Sequence, residues 1–151
     1  MGPDLSHLME QALREARTAF DSGEVPVGAV LARMDGEIIA RASNKPIELH
    51  DPTAHAEILA LRRGGVVEGN YRLTGCILAA TVEPCLMCMG AIIQARIKHL
   101  VFGAPDPKCG AAGSLYDVPN DSRLNHRLRV TSGILEEDCR SLMQDFFRIR
   151  R

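Results

Sequence analysis

Leu5, Leu8, Met9, Ala12, Leu13, Ala16 and Phe20 recur on one helical face, so the chain opens with an amphipathic helix that Ser22-Gly23 ends. The period then changes. Residues 26–34 and 37–42 read as two strands around an Asp35-Gly36 hairpin turn. Thr53 is placed to cap a second helix through Ile58, Leu59 and Leu61, and Pro84 to open a third, since a first helical residue needs no N–H partner. Residues 73–81 and 99–102 predict strands, each beside one of these helices in sequence, and 128–131 a short last strand. Leu135, Leu142, Phe146 and Ile149 then mark the core face of a terminal helix. The glycine- and proline-rich stretch 103–119 predicts a long loop, a kind of segment that often carries function. The alternation predicts an α/β fold with helices on both faces of a sheet.

No repeat, low-complexity stretch or linker divides residues 1–151, so one domain is expected. Its 46% hydrophobic content suffices for a core. A net charge of −1 excludes a strongly basic nucleic-acid binder, so any RNA contact must be local. The local candidate is the end of the chain, where Phe147 and Arg148, with Arg150 and Arg151, can offer a stacking face and cations. Five cysteines without a leader segment point to the cytoplasm, with Cys76 and Cys139 as packed thiols and Cys109 exposed. No apolar run approaches the roughly 20 residues that span a bilayer, so no membrane association is expected.

The chemistry concentrates in His55-Ala56-Glu57 and Pro84-Cys85-Leu86-Met87-Cys88. Cys85 and Cys88, three apart on a first helical turn, share a face and can hold one ion, and the positive end of a helix favours their thiolates. His55 also sits at a helix start, so two helix N-termini are expected to face one zinc ion per chain. Three ligands leave a fourth position for water, whose pKa a catalytic zinc lowers to about 7. Glu57, two residues from His55, cannot easily share its direction and stays free as acid and base. The plainer reading is a closed structural zinc. Its fourth ligand would come from His50, His99, His126, Cys76, Cys109 or Cys139, none of them placed beside the other three by local spacing.

These two motifs resemble the signature of the zinc-dependent nucleobase deaminases. The resemblance to the bacterial tRNA-specific adenosine deaminases covers nearly the whole chain. It runs through Glu24 to Val30, Asn44, His50 to Glu57, Tyr71-Arg72-Leu73, Thr81 to Cys85, Val101 to Ala104, Gly110 to Leu115, Asn125-His126-Arg127 and Asp145 to Arg148. It implies a three-layer α/β/α cytidine-deaminase-like fold with a central mixed five-stranded sheet, a homodimer and no organic cofactor. The implied reaction turns adenosine into inosine at the wobble position of a transfer RNA anticodon stem-loop, on an arginine transfer RNA with an A-C-G anticodon. It further implies that Asn44 hydrogen-bonds the target base, the Ala56 backbone helps hold it, Val27 lines the pocket, and Asp106 and Lys108 meet flanking nucleotides. Taken alone, Asn44-Lys45-Pro46 is good turn chemistry, and Asp106 between two prolines could simply shape its loop. The apolar segment 89–97 could serve as a dimer interface or as core. Two other functions stay open: a free nucleobase or nucleoside deaminase, which the basic tail disfavours, and a non-enzymatic zinc protein that binds RNA, which would have no need of Glu57.

Overall fold

The computed structural model of the protein describes residues 2–150, so Arg151 lies outside the described residues. Five strands form one sheet: β1 (Gly28–Ala32), β2 (Ile38–Ser43), β3 (Ile77–Val82), β4 (His99–Ala104) and β5 (Arg129–Thr131). Their order is β2-β1-β3-β4-β5, antiparallel from β2 to β3 and parallel from β3 to β5. The mixed five-stranded sheet expected from the resemblance is therefore present. β3 and β4 are buried along their whole length because helices cover both faces, which is why they read as unbroken apolar runs.

On one face, Leu8, Met9 and Leu13 of α1 (Leu5–Asp21) and Cys139 of α5 (Glu136–Ile149) pack on Val30, Ile77 and Val101. On the other, Leu59 and Leu61 of α3 (Ala56–Glu68) and Met89 and Ile92 of α4 (Leu86–Gln94) pack on Leu31, Leu78 and Leu100. A fifth helix, α2 (Pro46–Leu49), is too short for periodicity to reveal. At Gly28 a Cβ would lie 2.0 Å from the Ala12 carbonyl oxygen, so α1 rests directly on the start of β1. Residues 103–119 are loop after Ala104, with a short 3-10 turn at Val118–Asn120.

Several boundaries depart from expectation. β1 starts two residues late because the Val27 N–H closes a tight turn on the Val25 carbonyl, and β3 starts at Ile77 because Leu73–Cys76 turns at Gly75, φ +81°. Thr53 is not the cap of α3. Its N–H and hydroxyl both bond the Asp51 carboxylate, and His55 is the cap residue. Pro84 does not open α4 either. It stays outside the helix because the Glu83 N–H bonds the Ala104 carbonyl and the Pro84 carbonyl accepts the Ala111 N–H, so Cys85 takes the cap position. Ile149 is 68% exposed instead of core, since Phe146 packs on Phe20 and α1 ends one residue later.

Candidate active site

The C-terminal ends of β3 and β4 define the end of the sheet where the chemistry gathers. β3 delivers Cys85 as the cap residue of α4, φ −77° and ψ 178°, with Cys88 one turn on. His55 caps α3 in the same extended conformation, and it arrives there because the Lys45 N–H ties the end of β2 to the Ala54 carbonyl. Neither helix start has a side-chain cap, so free N–H groups and the positive dipole end of both helices bear on this point.

His55 Nδ1 lies 3.6 Å from Cys85 Sγ and 3.5 Å from Cys88 Sγ. All three donor atoms fall within 4.8 Å of one another, and among the described residues no other His, Cys, Asp or Glu joins the group. None of the six candidate fourth ligands is there. Cys76 and Cys139 are buried in the core, and burial pushes Cys139 up to about 12, while Cys109 is exposed on its loop. His99 bonds the Thr131 hydroxyl and His126 the Ile97 carbonyl, both at the opposite ends of β4 and β5. Two thiols and one imidazole fit zinc, which takes four ligands, so one position stays open.

The local field prepares the ligands. Contact with the Cys88 thiol, helped by the His55 ring and the Cys88 backbone N–H, lowers the Cys85 thiol to about 4. Cys88, sharing that proton, is pushed up. The hydrogen bond that the His55 ring donates to the Cys85 sulfur raises His55. Glu57, in the first turn of α3, is 4% exposed, and its Oε1 is buried with no hydrogen-bond partner. Burial raises its carboxyl above the usual range. A buried oxygen without a partner beside three metal donors fits an acid that works on a metal-activated water.

The other residues are arranged in three tiers. Asn44 is buried, its N–H bonded to the Val27 carbonyl, and its side chain has no hydrogen bond among the described residues. With half-buried Val27 and fully buried Ala56, it lies beside the His55 turn. Asp106 and Lys108 stand on a loop bonded to the zinc-ligand turn. There Asp106 Oδ1 accepts the N–H groups of Lys108 and Cys109, the loop-shaping reading, while Lys108 is exposed. Phe147 and Arg148 stand apart, on α5 across the opposite face of the sheet. They project at the same end of the sheet, with Phe147 47% exposed and Arg148 paired to Asp145 at 2.6 Å. Arg150 stacks over Phe146, 4.3 Å from the ring centre.

Two buried acids escaped sequence reasoning. Glu24 accepts the N–H groups of Ile47 and Glu48 and so holds the start of α2 beside Asn44. Glu83 accepts four hydrogen bonds from the loop beyond β4. Burial would raise its pKa, but the Ser114 hydroxyl and the N–H groups of Asp106, Ala112 and Ser114 outweigh burial and hold it below the ordinary carboxylate range. The available signal was an acid inside an otherwise apolar segment, at Glu24-Val25-Pro26 and Val82-Glu83-Pro84.

Residues 3–104 match the family described as the cytidine and deoxycytidylate deaminase zinc-binding region. The chain belongs to that family. Over 144 residues it is 50% identical to a tRNA-specific adenosine deaminase of Haemophilus influenzae, an alignment that covers 95% of this chain and 83% of that protein. A solved structure from a study of A-to-I editing by tRNA:A34 deaminases superimposes with a TM-score of 0.87 at 46% identity, covering 90% of this chain and 98% of the other. A guanine deaminase from Nitrosomonas europaea shares the fold at 25% identity and a TM-score of 0.82, over 95% of this chain and 85% of that one. The protein is thus a zinc-dependent deaminase.

The site assigns different failures to its members. His55→Ala and Cys85→Ala should each lower bound zinc well below one ion per chain, whereas Glu57→Gln should keep one, as read by metal analysis after exhaustive dialysis. Zinc loss from the Glu57 variant would make that residue a ligand.

Proposed function

We propose that the protein deaminates the wobble adenosine of a transfer RNA anticodon to inosine, releasing ammonia. The observation that carries the reaction is the orphaned Glu57 Oε1 beside an open three-donor metal site. The substrate class rests on the 50% identity to a named tRNA-specific adenosine deaminase. Zinc bound by His55, Cys85 and Cys88 supplies a Lewis acid that brings the pKa of water near 7. Glu57 Oε1 takes a proton from the attacking water, and oxygen bonds to C6 of adenine. The same carboxyl gives that proton to the ring nitrogen, then takes the second proton from the C6 hydroxyl and passes it to the amino group, so that the C6–N bond breaks with ammonia, not an amide anion, departing. Two hydrogens from water leave on ammonia and on the purine, and the C6 oxygen stays in inosine.

Recognition follows the three tiers. Asn44 bonds the target base, the Ala56 backbone steadies it and Val27 closes the pocket. Lys108 and the second oxygen of Asp106 meet the flanking nucleotides, and Phe147 and Arg148 receive the RNA beyond them. A single-stranded loop favours this arrangement, since its bases unstack at lower cost than those of a duplex. Thiol ligands that must stay reduced, together with a transfer RNA substrate, support a cytoplasmic setting. Among the described residues no helix is long and apolar enough to cross a membrane.

The shared fold of the guanine deaminase sets the alternative to be tested. Zinc-loaded protein should form inosine in an A-C-G anticodon stem-loop and leave guanine, cytidine and free adenosine unchanged in nucleoside analysis. Glu57→Gln should lose about 10²–10⁴-fold in that assay. Turnover of guanine without turnover of the stem-loop would replace the transfer RNA reading.

A homodimer completes the proposal. A groove of about 820 Å³ lies outside α3 and α4 and not over the zinc ligands. Ile58, Leu61, Val66, Tyr71, Met87 and Ala91 line it, with Val66 83% and Tyr71 71% exposed. Such an apolar surface suits a second copy. In the 89–97 segment Met89, Ile92, Ile93 and Ile97 are core, and Ala91 opens onto this groove. Sedimentation velocity should give twice the chain mass of 16.5 kDa, and Val66→Glu should shift it to one. A wild-type monomer at micromolar concentration would refute the dimer.

A further inference from the structure

Four hydrogen bonds converge on the Glu83 carboxylate. Oε1 accepts the Asp106 N–H at 3.0 Å and the Ser114 hydroxyl at 2.5 Å, and Oε2 accepts the N–H groups of Ala112 at 2.9 Å and Ser114 at 3.0 Å. The donors come from both limbs of the loop, 23 to 31 residues away in sequence. Glu83 itself is 3% exposed. The fit is close: a Cβ on Gly110 would lie 2.3 Å from the Glu83 carboxyl carbon. The same loop is stitched to the metal-ligand turn, where the Ala111 N–H donates to the Pro84 carbonyl and Gly110 pairs with Cys85.

What the loop presents outward is unlike a packed loop. Lys108 is exposed, and Leu115 and Tyr116 keep 55% and 51% of their surface open. Apolar contact secures the loop only near Ala111, Ala112 and Val118. The limb carrying Asp106 and Lys108 and the limb carrying Ser114 to Tyr116 are joined at their turn by backbone bonds, from the Gly110 N–H to the Asp106 carbonyl and from the Leu115 and Tyr116 N–H groups to the Gly110 carbonyl, and Glu83 is the one side chain that ties both limbs back to the end of β3. Nothing in the deamination chemistry uses Glu83, and a group that only stabilised the fold would not need to join two limbs whose outer residues face solvent beside the metal.

We propose that Glu83 is a positioning residue. It clamps the 105–116 loop against the zinc-ligand turn, so that the loop forms the wall against which the nucleotides flanking the target base are selected. This inference rests on the RNA reading above. Its consequence falls on binding and selectivity, not on the proton transfers of Glu57. Glutamine at this position cannot reproduce the clamp. Its amide nitrogen would face either the N–H groups of Ala112 and Ser114 or the Asp106 N–H beside a Ser114 hydroxyl that can turn to accept, so at least one backbone N–H is left without its acceptor.

The test compares wild-type protein, Glu83→Gln and Ser114→Ala, all zinc-loaded, on the A-C-G stem-loop and on stem-loops with altered nucleotides on either side of the adenosine. Glu83→Gln should keep one zinc per chain, raise KM about tenfold or more with kcat within about threefold, and accept altered flanks more readily relative to A-C-G. Ser114→Ala, which removes a single contact from an exposed residue, should move KM and selectivity the same way by a smaller factor. Hydrogen exchange gives a readout that needs no substrate: the amides of Asp106, Ala112 and Ser114 should lose protection in Glu83→Gln while those of β3 and β4 keep theirs. Unchanged KM, selectivity and loop protection would overturn the proposal, and so would zinc loss or a fall in kcat at constant KM. A wild-type protein silent on every stem-loop would sink the RNA reading instead, and unchanged loop protection would still refute the clamp.

Discussion

An acceptor oxygen taken out of water without a partner destabilises a protein by about 1–3 kcal/mol, and by more if its group is charged. Against a total stability of about 5–15 kcal/mol, that is a large share. Glu57 Oε1 is such a group, held 4% exposed at the start of α3. Its position is enforced from outside, by the close packing of α3 on the sheet and by the tie between Lys45 and Ala54 that sets where the helix begins. The cost is tolerated because the atoms it faces, two sulfurs and an imidazole nitrogen within 4.8 Å of one another, suit a cation, which would attract the carboxylate. The rest of the architecture keeps this arrangement in place.

The sheet supplies the rigidity. β3 and β4 are covered on both faces and paired in parallel register from Ile77–His99 to Val82–Ala104, so the turn after Val82 leaves the sheet at a fixed point. Two helices start at that end of the sheet without side-chain caps, and in α4 the Cys88 N–H bears on the Cys85 sulfur instead. The segments around this centre are less regular. Two buried acids govern those segments: Glu24 fixes α2 beside Asn44, and Glu83 fixes the loop after β4. The division follows a physical logic, with the metal donors at the ends of buried elements and the surrounding segments held by a few replaceable hydrogen bonds.

How legible each part was in the sequence depends on how local its cause is. That Cys85 and Cys88 converge was readable because spacing within one helical turn decides it, and that His55 joins them followed from the pairing of two motifs, each at a helix start. Thr53 was misread as a cap because Asp51, two residues earlier, takes both its N–H and its hydroxyl. Pro84 was misread as a helix start because its conformation is set by partners twenty or more residues away, through Ala104 and Ala111. The same distance hid Glu24 and Glu83, whose value lies entirely in remote backbone donors. Periodicity found the stripe on α5 but could not say where its neighbour α1 stops, and Ile149 was therefore assigned to a core that ends at Phe146. The apolar groove around Val66 was invisible for the complementary reason: periodicity marks apolar residues without saying which of them this chain leaves uncovered.

The central claim is an open three-ligand zinc. X-ray absorption spectroscopy of the zinc-loaded protein tests it most directly. The account predicts two sulfur neighbours at about 2.3 Å, one imidazole nitrogen at about 2.0 Å and one further light atom that changes when a purine analogue binds. A shell closed by four protein ligands, or one with more than two sulfurs, would contradict it.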